Sequence, residues 1–248
     1  SHCRGIAAEF LENSGLFGRK QEHFYDRFRN KVMFPIFDVK GSVIAFGSRV
    51  LDDSKPKYIN SPETPVFKKR ETLYGLNLAL ETIRKKGFAY VVEGYMDTLA
   101  LHQAGFENTV APLGTAFSED HIKLLSRYAK EAVLLFDGDE AGKKAAARSV
   151  ETALQAGFPV KIITLPENLD PDEFIEKRGK TAFEAFLESS ALSWEDYLLN
   201  PIASEKEILL RRKKIIETLK LFSGKDPLIT NQFLKKLSLV IGSPQSEL

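Results

Sequence analysis

The stretch LLFDGDEAGKKAA, residues 134–146, runs from apolar residues into two aspartates and then into a helix-forming segment. The apolar run EAVLLF predicts a buried strand, and EAGKKAAARSVETALQAG predicts a long helix. Asp137 and Asp139 therefore follow a strand directly, one residue apart. Like charges this close raise each other's pKa unless a cation neutralises them. The stretch thus predicts a strand, an acidic loop suited to a cation, and a helix.

Apolar runs and helical segments alternate on both sides of this stretch, through residues 89–180. AYVV, NTVAPLG and VKIITL are the other predicted strands. MDTLALHQAG predicts a helix that ends at Gly105, and SEDHIKLLSRYA predicts a helix with Ser118 as its N-cap. This alternation is typical of βαβ units and predicts a parallel sheet.

Acidic residues follow three of these predicted strands. Glu93 comes after AYVV, Asp137 and Asp139 after EAVLLF, and Asp170 and Asp172 after VKIITL. In an open parallel sheet, ligands bind beyond the carboxyl ends of the strands, so we expect these acids at one edge. Carboxylate oxygens suit a hard divalent cation. Mg²⁺ fits this ligand set best, with Mn²⁺ as a substitute.

Two other interpretations of DGDEAG were weighed. The segment partly fits an EF-hand loop, with acids at the first and third positions and Gly142 at the sixth. Ala141 and Arg148 stand at the fifth and twelfth positions, where that loop needs a polar ligand and a bidentate Glu, so we reject it. Alternatively, the aspartates only cap the following helix. Acids at three equivalent strand ends favour a metal site over capping alone.

Residues 1–88 predict a mixed α+β unit. AAEFLENSG predicts a short helix that ends at Gly15. KVMFPIFDVKGSVIAFGSRVL predicts two strands around a turn at residues 39–42. SKPKYINSPETPVFKKRETLYG contains three prolines and several small polar residues, and therefore predicts a loop with neither helix nor central strand.

Residues 181–248 predict helices. AFEAFLES and EKEILLRRKKIIETLKLF have apolar residues at three- and four-residue spacing. We expect breaks at Pro201, Gly224 and Pro227. Trp194 is expected to be a packing anchor between helices.

Charge is distributed unevenly although the net charge is only +1. Residues 1–92 carry 16 Lys and Arg against 10 Asp and Glu, whereas residues 93–180 carry 10 against 15. A basic half beside an acidic half suggests a polyanion on one side and metal ions on the other. No apolar run approaches membrane-spanning length. Cys3 is the only cysteine, so an internal disulfide is excluded and a reducing, cytoplasmic compartment is expected.

The motifs together resemble a known family. A strand that ends in Glu-Gly, followed 44 residues later by DxD, resembles the TOPRIM domain of primases, topoisomerases and some nucleases. YDRFRNKVMFPI, GSVIAFGSRVL, PKYINSPETPVFKK, LYGL, VVEGYMD, LGTAFSEDHIKLL and FDGDEAGKKAA occur here in one order. This order closely resembles the RNA polymerase domain of bacterial DnaG-type primases over nearly the whole chain.

The resemblance implies an α/β fold, α+β overall, in three parts. These are a basic mixed α+β N-terminal subdomain at 1–88, a central TOPRIM subdomain with a Rossmann-like parallel sheet at 89–180, and a helical subdomain at 181–248. It also implies DNA-templated synthesis of short RNA primers from nucleoside triphosphates on single-stranded DNA, with an RNA–DNA hybrid as product.

The resemblance also implies roles for individual acids. Glu93 matches the family's invariant acid, as metal ligand or general base. Asp137 and Asp139 match its DxD, and Asp170 with Asp172 its later acidic pair. Asp97 matches a further acid of the cluster, although a charge that complements the helix dipole is an equal alternative.

Contacts to template or incoming nucleotide are implied in the basic half. Arginine recognises phosphate through two parallel hydrogen bonds, and tyrosine stacks on unpaired bases. Arg27 and Arg29 are two residues apart and would share one face of an extended segment. Arg49 follows a predicted strand. The residues with these implied contacts are Arg27, Arg29, Arg49, Lys57, Tyr58, Asn60 and Lys69.

Other partners would bind through further parts of a full primase. Such enzymes carry an N-terminal zinc-binding domain and a segment that binds the replicative helicase of the primosome. His2, Cys3 and His23 cannot build a closed zinc site, so we expect no zinc here. The chain has no initiator methionine and is interpreted as an internal fragment. We expect a monomer that acts in the nucleoid, at the replication fork, without a membrane.

Two alternatives stay open at this point. A TOPRIM nuclease or topoisomerase would share the acidic edge but would not explain PKYINSPET. A non-catalytic nucleic-acid-binding module with a structural metal would share both the acids and the basic half. Products formed from template, labelled ribonucleotides and Mg²⁺ discriminate among all three.

Overall fold

The computed structural model describes residues 6–21, 23–166, 169–224, 226–242 and 244. His2 and Cys3 lie outside the described residues. The fold is mixed α+β, as predicted, with a small N-terminal sheet, a larger sheet dominated by parallel strands, and a helical C-terminal part. No described helix is both long enough and apolar enough to cross a bilayer.

The N-terminal part begins with a helix and a hairpin. Helix α1 (Ala8–Asn13) ends just before Gly15, which has a φ of 69°, as the sequence predicts. Strands β1 (Phe17–Lys20) and β2 (His23–Asp26) then form an antiparallel pair that the sequence did not indicate.

A three-stranded antiparallel sheet follows, in the order β3-β4-β5. Strands β3 (Lys31–Phe37) and β4 (Val43–Val50) surround the predicted turn. The prediction of a loop after them is wrong for β5 (Tyr58–Asn60), which pairs with β4 at the edge of the sheet. Pro56 and Pro62 lie on either side of β5, and proline has no N–H to donate to a neighbouring strand. The strand is therefore limited to three residues, which are too few to show a periodic pattern in the sequence. A 3₁₀ turn (Lys69–Glu71) and helix α2 (Leu76–Lys86) lead to the second sheet.

The second sheet has five strands in the order β10-β9-β8-β6-β7. Four of them are parallel: β6 (Phe88–Val91), β7 (Thr109–Val110), β8 (Glu131–Phe136) and β9 (Val160–Thr164). The two-residue strand β10 (Leu192–Ser193) adds to β9 in the antiparallel direction. Between and after these strands run α3 (Tyr95–Gln103), α4 (Glu119–Leu125), α5 (Glu140–Ala156), α6 (Pro171–Arg178) and α7 (Lys180–Ser190).

The parallel strands are buried on both faces. Leu134 and Ile162 point into a core that contains α2, α4, α5 and the C-terminal helices. Leu135 and Ile163, their neighbours in sequence, point into a separate core with α3, α6 and α7. Alternate residues of one strand thus pack on opposite layers, which explains why the strands are continuous apolar runs. Ser118 caps α4, as predicted, and its side chain accepts a hydrogen bond from the N–H of His121.

Three helices form the C-terminal part: α8 (Trp194–Ala203), α9 (Ile208–Lys220) and α10 (Pro227–Ile241). The predicted break at Pro201 is wrong, because this proline lies inside α8. The helix ends two residues later, so the missing N–H disturbs only its last turn. Trp194 packs within about 6 Å of the rings of Phe222 and Phe233, in the anchoring role predicted for it.

Candidate functional site

The acidic residues meet beyond the carboxyl ends of β6 and β8. The backbone N–H of Asp137 donates a hydrogen bond to Oε1 of Glu93, 3.2 Å away and 44 residues earlier in the chain. Gly142 closes the same turn. A Cβ placed on it would lie 2.3 Å from the carbonyl oxygen of Asp137 and 3.0 Å from Oε1 of Glu93. Glycine is therefore required here for the two strand ends to approach each other.

The first turns of three helices orient further carboxylates. Oδ2 of Asp97 accepts from the N–H of Gly94 over 2.9 Å. Oδ1 of Asp139 accepts from the N–H of Gly142, and Oδ1 of Asp170 from that of Glu173, each over 2.7 Å. Capping is thus a real role of these side chains. It engages one carboxylate oxygen of each and does not use up the other.

Burial and mutual repulsion raise the pKa values of four of these acids. Burial raises the pKa of Asp137 to about 7, helped by the negative charges of Glu93, Asp97, Asp170 and Asp139. Burial and Asp170 likewise raise the pKa of Asp97 to about 7. The pKa of Glu93 is raised by partial burial and by Asp139, although its side chain still reaches solvent.

One further acid completes the group. The pKa of Asp172 is raised by burial and then by Asp170. Each of the six predicted acids therefore either raises the pKa of another member of the group or has its own pKa raised by one.

Asp137 carries the clearest sign of a missing partner. Its Oδ1 is buried and, among the described residues, accepts no hydrogen bond. A buried polar atom without a partner is rare in proteins, and a cation or a proton would satisfy it. The donor set is all oxygen, which fits a hard divalent ion. Within the described part of the chain, no three His, Cys, Asp or Glu side chains converge closely enough to hold a metal by themselves.

A pocket of about 270 Å³ joins the acids to the N-terminal sheet. Its lining includes Glu93 and Asp97 of the acidic group and Tyr58 and Asn60 of β5. Burial raises the pKa of Tyr58, the positive charge of Arg49 lowers it, and the negative charge of Asp97 raises it, so Tyr58 and the acidic group interact.

Basic residues surround Tyr58. The guanidinium of Arg49 lies 5.7 Å from the centre of its ring, and Nζ of Lys57 lies 6.0 Å from it. Both basic residues also line an adjoining groove of about 820 Å³, together with apolar residues such as Phe34 and Met96. Arg49 was expected to follow a strand, but it lies within β4, so this expectation is wrong.

Arg27 and Arg29 do not share a face of an extended segment, so that expectation is wrong. They lie in a turn at residues 27–30 that follows β2. The side chain of Asp26 accepts from the N–H of Phe28 over 2.8 Å, and this local hydrogen bond turns the chain. Neither arginine lines the two pockets described above. Nε of Arg27 is buried without a described partner, whereas Arg29 is exposed.

Lys69 begins the 3₁₀ turn, 12 residues after Lys57. Its N–H donates to Glu63 over 2.9 Å, and its carbonyl oxygen lies 2.8 Å from Nε2 of His121. His121 also accepts a hydrogen bond from the N–H of Ser118 at Nδ1, so Nε2 carries the proton that bonds to Lys69. The neutral imidazole therefore fixes this turn against α4.

Sequence reasoning missed Tyr95. Its hydroxyl donates to Oδ1 of Asn60, and its ring stacks on Phe34 with centroids 5.4 Å apart. The only signal in the sequence is its position between Glu93 and Asp97, in a motif already assigned to the acids.

Comparisons with known proteins agree with this architecture. Residues 2–80 match the family described as DNA primase catalytic core, N-terminal domain, and residues 90–175 match the family described as Toprim-like. A DNA primase of Clostridium acetobutylicum is 47% identical over 239 residues, which cover 95% of this chain and 40% of the relative. The chain thus spans less than half the length of this curated relative.

Solved structures extend the similarity to three dimensions. A crystal structure of a DNA primase domain from Pseudomonas aeruginosa matches with a TM-score of 0.85 and 41% identity, over 96% of this chain and 77% of the other. A DnaG primase catalytic domain bound to single-stranded DNA matches with a TM-score of 0.82 and 38% identity, over 97% and 78%. A Toprim domain is a metal-binding fold, which agrees with the acidic edge described above. The chain therefore belongs to the DNA primase family and contains its catalytic core with a Toprim domain.

Proposed function

We propose that this chain is the nucleotidyl-transfer core of a primase, which makes short RNA primers from nucleoside triphosphates on single-stranded DNA. One observation carries the proposal. Glu93 and Asp97 of the acidic group line the same pocket as Tyr58 and Asn60, and Arg49 and Lys57 lie beside the Tyr58 ring. A nucleotide needs such a combination, because its phosphates require cations and its base requires a flat apolar surface.

Glu93, Asp137 and Asp139 would hold divalent metal, with Asp97, Asp170 and Asp172 close by. We favour Mg²⁺ as the ion, with Mn²⁺ as a substitute. Support comes from carboxylates that already give one oxygen to a backbone N–H, which suits them to bind an ion through a single oxygen. Ca²⁺ often takes both oxygens of a carboxylate, whereas Mg²⁺ binds few carboxylates and keeps water and substrate phosphates as its other ligands. Metal bound here would stabilise the charge that develops on the reacting phosphate.

The remaining residues would orient the substrates. Arg49 and Lys57 would contact phosphates of the incoming nucleotide, and Tyr58 would stack on a base. Arg27, Arg29 and Lys69 would contact the template from outside the pocket. Glu93 would act either as metal ligand or as general base for the attacking hydroxyl.

Further partners belong to the same proposal. Single-stranded DNA is bound by a homologous catalytic domain, and we extend this property to the present chain. The primase of Aquifex aeolicus has been solved with its zinc-binding and RNA polymerase domains together. We propose that a zinc-binding domain and the replicative helicase act with this core through other parts of the full protein. The subdomain boundaries after residues 88 and 180, a monomeric state and a place at the replication fork are part of the proposal.

The decisive experiment incubates the chain with single-stranded template, labelled ribonucleotides and Mg²⁺. New RNA that depends on template and metal supports the proposal. Cut or relaxed DNA would instead indicate a nuclease or topoisomerase, and binding without any product would indicate a non-catalytic module. Adding a separate zinc-binding domain should raise primer yield and improve the choice of initiation sequence, because it restores template contacts. Strong sequence-selective priming by the chain alone would contradict that division of labour.

A further inference from the structure

Asn60 lies where three parts of the chain meet. Its Oδ1 accepts a hydrogen bond from the Tyr95 hydroxyl, and its Nδ2 donates to the carbonyl oxygen of Leu113 over 3.0 Å. Both ends of the amide are therefore engaged inside the protein. These bonds connect β5, the first turn of α3 and the loop after β7. Such an amide is better suited to hold these segments together than to contact template.

The partner ring is fixed on several sides. Tyr95 is only 6% exposed, and it stacks on Phe34 with an angle of 3° between the two rings. The ring of Tyr74 meets it edge-on, with centroids 4.7 Å apart. On the side of β4, a Cβ placed on Gly47 would lie 2.6 Å from Cζ and from the hydroxyl oxygen of Tyr95. The ring thus has one defined position, in which its hydroxyl meets Asn60.

The position of this hydrogen bond gives it a consequence for the pocket. Tyr95 stands midway between Glu93 and Asp97, which line the acidic side. Asn60 ends the strand that carries Tyr58, which lines the same pocket. The hydrogen bond therefore joins two of the segments that form the walls of the pocket, the end of β5 and the start of α3.

We propose that Tyr95 and Asn60 are a positioning pair that sets the width of this pocket, and with it the fit of an incoming nucleoside triphosphate between the acids and Tyr58. The inference rests on the proposed function, since it assigns the pocket to the nucleotide. In this role neither side chain touches the reacting atoms, and both act through the walls that they hold.

The test compares Tyr95→Phe, Asn60→Ala and the double variant. Tyr95→Phe keeps the ring and its stacking but removes the hydroxyl. We expect the Kd for a nucleoside triphosphate with Mg²⁺, measured by calorimetry, and the KM in primer synthesis to rise about fivefold to tenfold, the scale of one lost hydrogen bond. The kcat at saturating nucleotide should change less than about twofold. The double variant should be no worse than the worse single variant, because the two residues act as one unit.

Two further variants sharpen the comparison. Gly47→Ala should reproduce the higher Kd by displacing the Tyr95 ring while both members of the pair are retained. Tyr74→Phe is the matched control, because it removes a hydroxyl from the neighbouring ring that does not bond to Asn60, and it should bind nucleotide as the wild type does.

The outcomes separate this inference from the proposed function. Wild-type protein that binds nucleotide but makes no RNA would refute the proposed function alone, and the Kd comparison would still decide the role of the pair. Unchanged Kd and KM in Tyr95→Phe and Asn60→Ala, even with a lower melting temperature, would show that the hydrogen bond is only structural. Additive effects in the double variant would also overturn the inference.

Discussion

Glu93 accepts a hydrogen bond from the backbone N–H of Asp137, and this single contact of 3.2 Å links the ends of two adjacent parallel strands. The donor is the main chain of the DxD loop, so the Asp137 side chain takes no part in this hydrogen bond. Oδ1 of Asp137 is left buried without a described partner. The turn is therefore held together without the Asp137 carboxylate, so the role that we propose for this carboxylate in metal binding can be tested without breaking the contact.

Asp137→Asn should abolish most synthesis while the fold is kept. The amide is a poor metal ligand, and we expect a loss of roughly 100-fold or more, the scale on which removal of one charge-stabilising group slows catalysis. Repulsion from the other acids is relieved at the same time, so the melting temperature without metal should stay equal or rise. Glu140→Gln is the control, because Glu140 begins the same helix but pairs with Lys143 at its exposed surface. Full activity of Asp137→Asn would contradict the metal assignment.

Stability of the metal-free protein should fall as pH rises from about 4 to above 7. The pKa values of Asp97 and Asp137 are raised from 3.8 to about 7, so in this window the folded state holds protons that the unfolded chain has lost. Unfolding then releases protons, and the free energy of unfolding decreases with pH. Denaturant titrations at pH 5 and pH 8, with a chelator or with Mg²⁺, measure this effect.

Two comparisons check that the acids cause this pH dependence. Mg²⁺ should restore most of the stability at pH 8, because it favours the deprotonated carboxylates. Asp97→Asn without metal should show a shallower decrease between pH 5 and pH 8 than the wild type. An identical decrease in both proteins would exclude Asp97 as a source of the effect.

Gly142→Ala should disable the site through the backbone. The new Cβ would come within 2.3 Å of the Asp137 carbonyl oxygen, which is main chain and cannot move without displacing the DxD loop. We expect a loss of about 1–3 kcal/mol in the free energy of unfolding, as for other overpacked positions, together with a loss of synthesis. Ala141→Ser adds one atom at the exposed neighbouring position and should leave both properties nearly unchanged. Wild-type stability of Gly142→Ala would show that the loop adapts easily.

Affinity for single-stranded DNA should fall steeply with salt concentration, because phosphate contacts release counterions. Arg27→Ala should weaken binding of single-stranded DNA and lower the slope of log K against log salt by about 1, the loss of one phosphate contact. Lys57→Ala should act on nucleotide binding and leave this slope unchanged. Lys213→Ala is the matched control, since Lys213 lies on α9 and pairs with Glu217 at 4.0 Å. Binding that does not depend on salt would remove the reason to place nucleic acid against the basic half.

The central sheet was predictable because its signals are local. EAVLLF ends in five consecutive apolar residues, and VKIITL is mostly apolar, and such runs indicate strands that are largely buried on both faces. Glu93, Asp137 and Asp139 could be predicted for the same reason, since they follow closely after strands whose carboxyl ends must lie at one edge. The prediction of separate roles for these acids still awaits experiment.

The remaining structure depends on contacts between distant segments. Strands β5 and β10 have three and two residues and exist only because β4 and β9 offer them a partner. The turn at Arg27 is local, but it includes a hydrogen bond that the Asp26 side chain accepts from the N–H of Phe28, which the alternation of residue types does not reveal. Tyr95 and Asn60 are 35 residues apart, and nothing in either local sequence indicates that their side chains meet.

The hydrogen bonds from backbone N–H groups to the acids have a consequence for how an ion would bind. Glu93, Asp97, Asp139 and Asp170 each hold one such bond, so their rotamers are already selected in the folded protein. A flexible Glu or Asp side chain would have to lose that freedom when an ion arrives. Here that loss occurs during folding, so an arriving ion would meet carboxylates that are already ordered. Compared with a site of flexible side chains, this arrangement would lower the stability of the metal-free protein and raise its affinity for the ion.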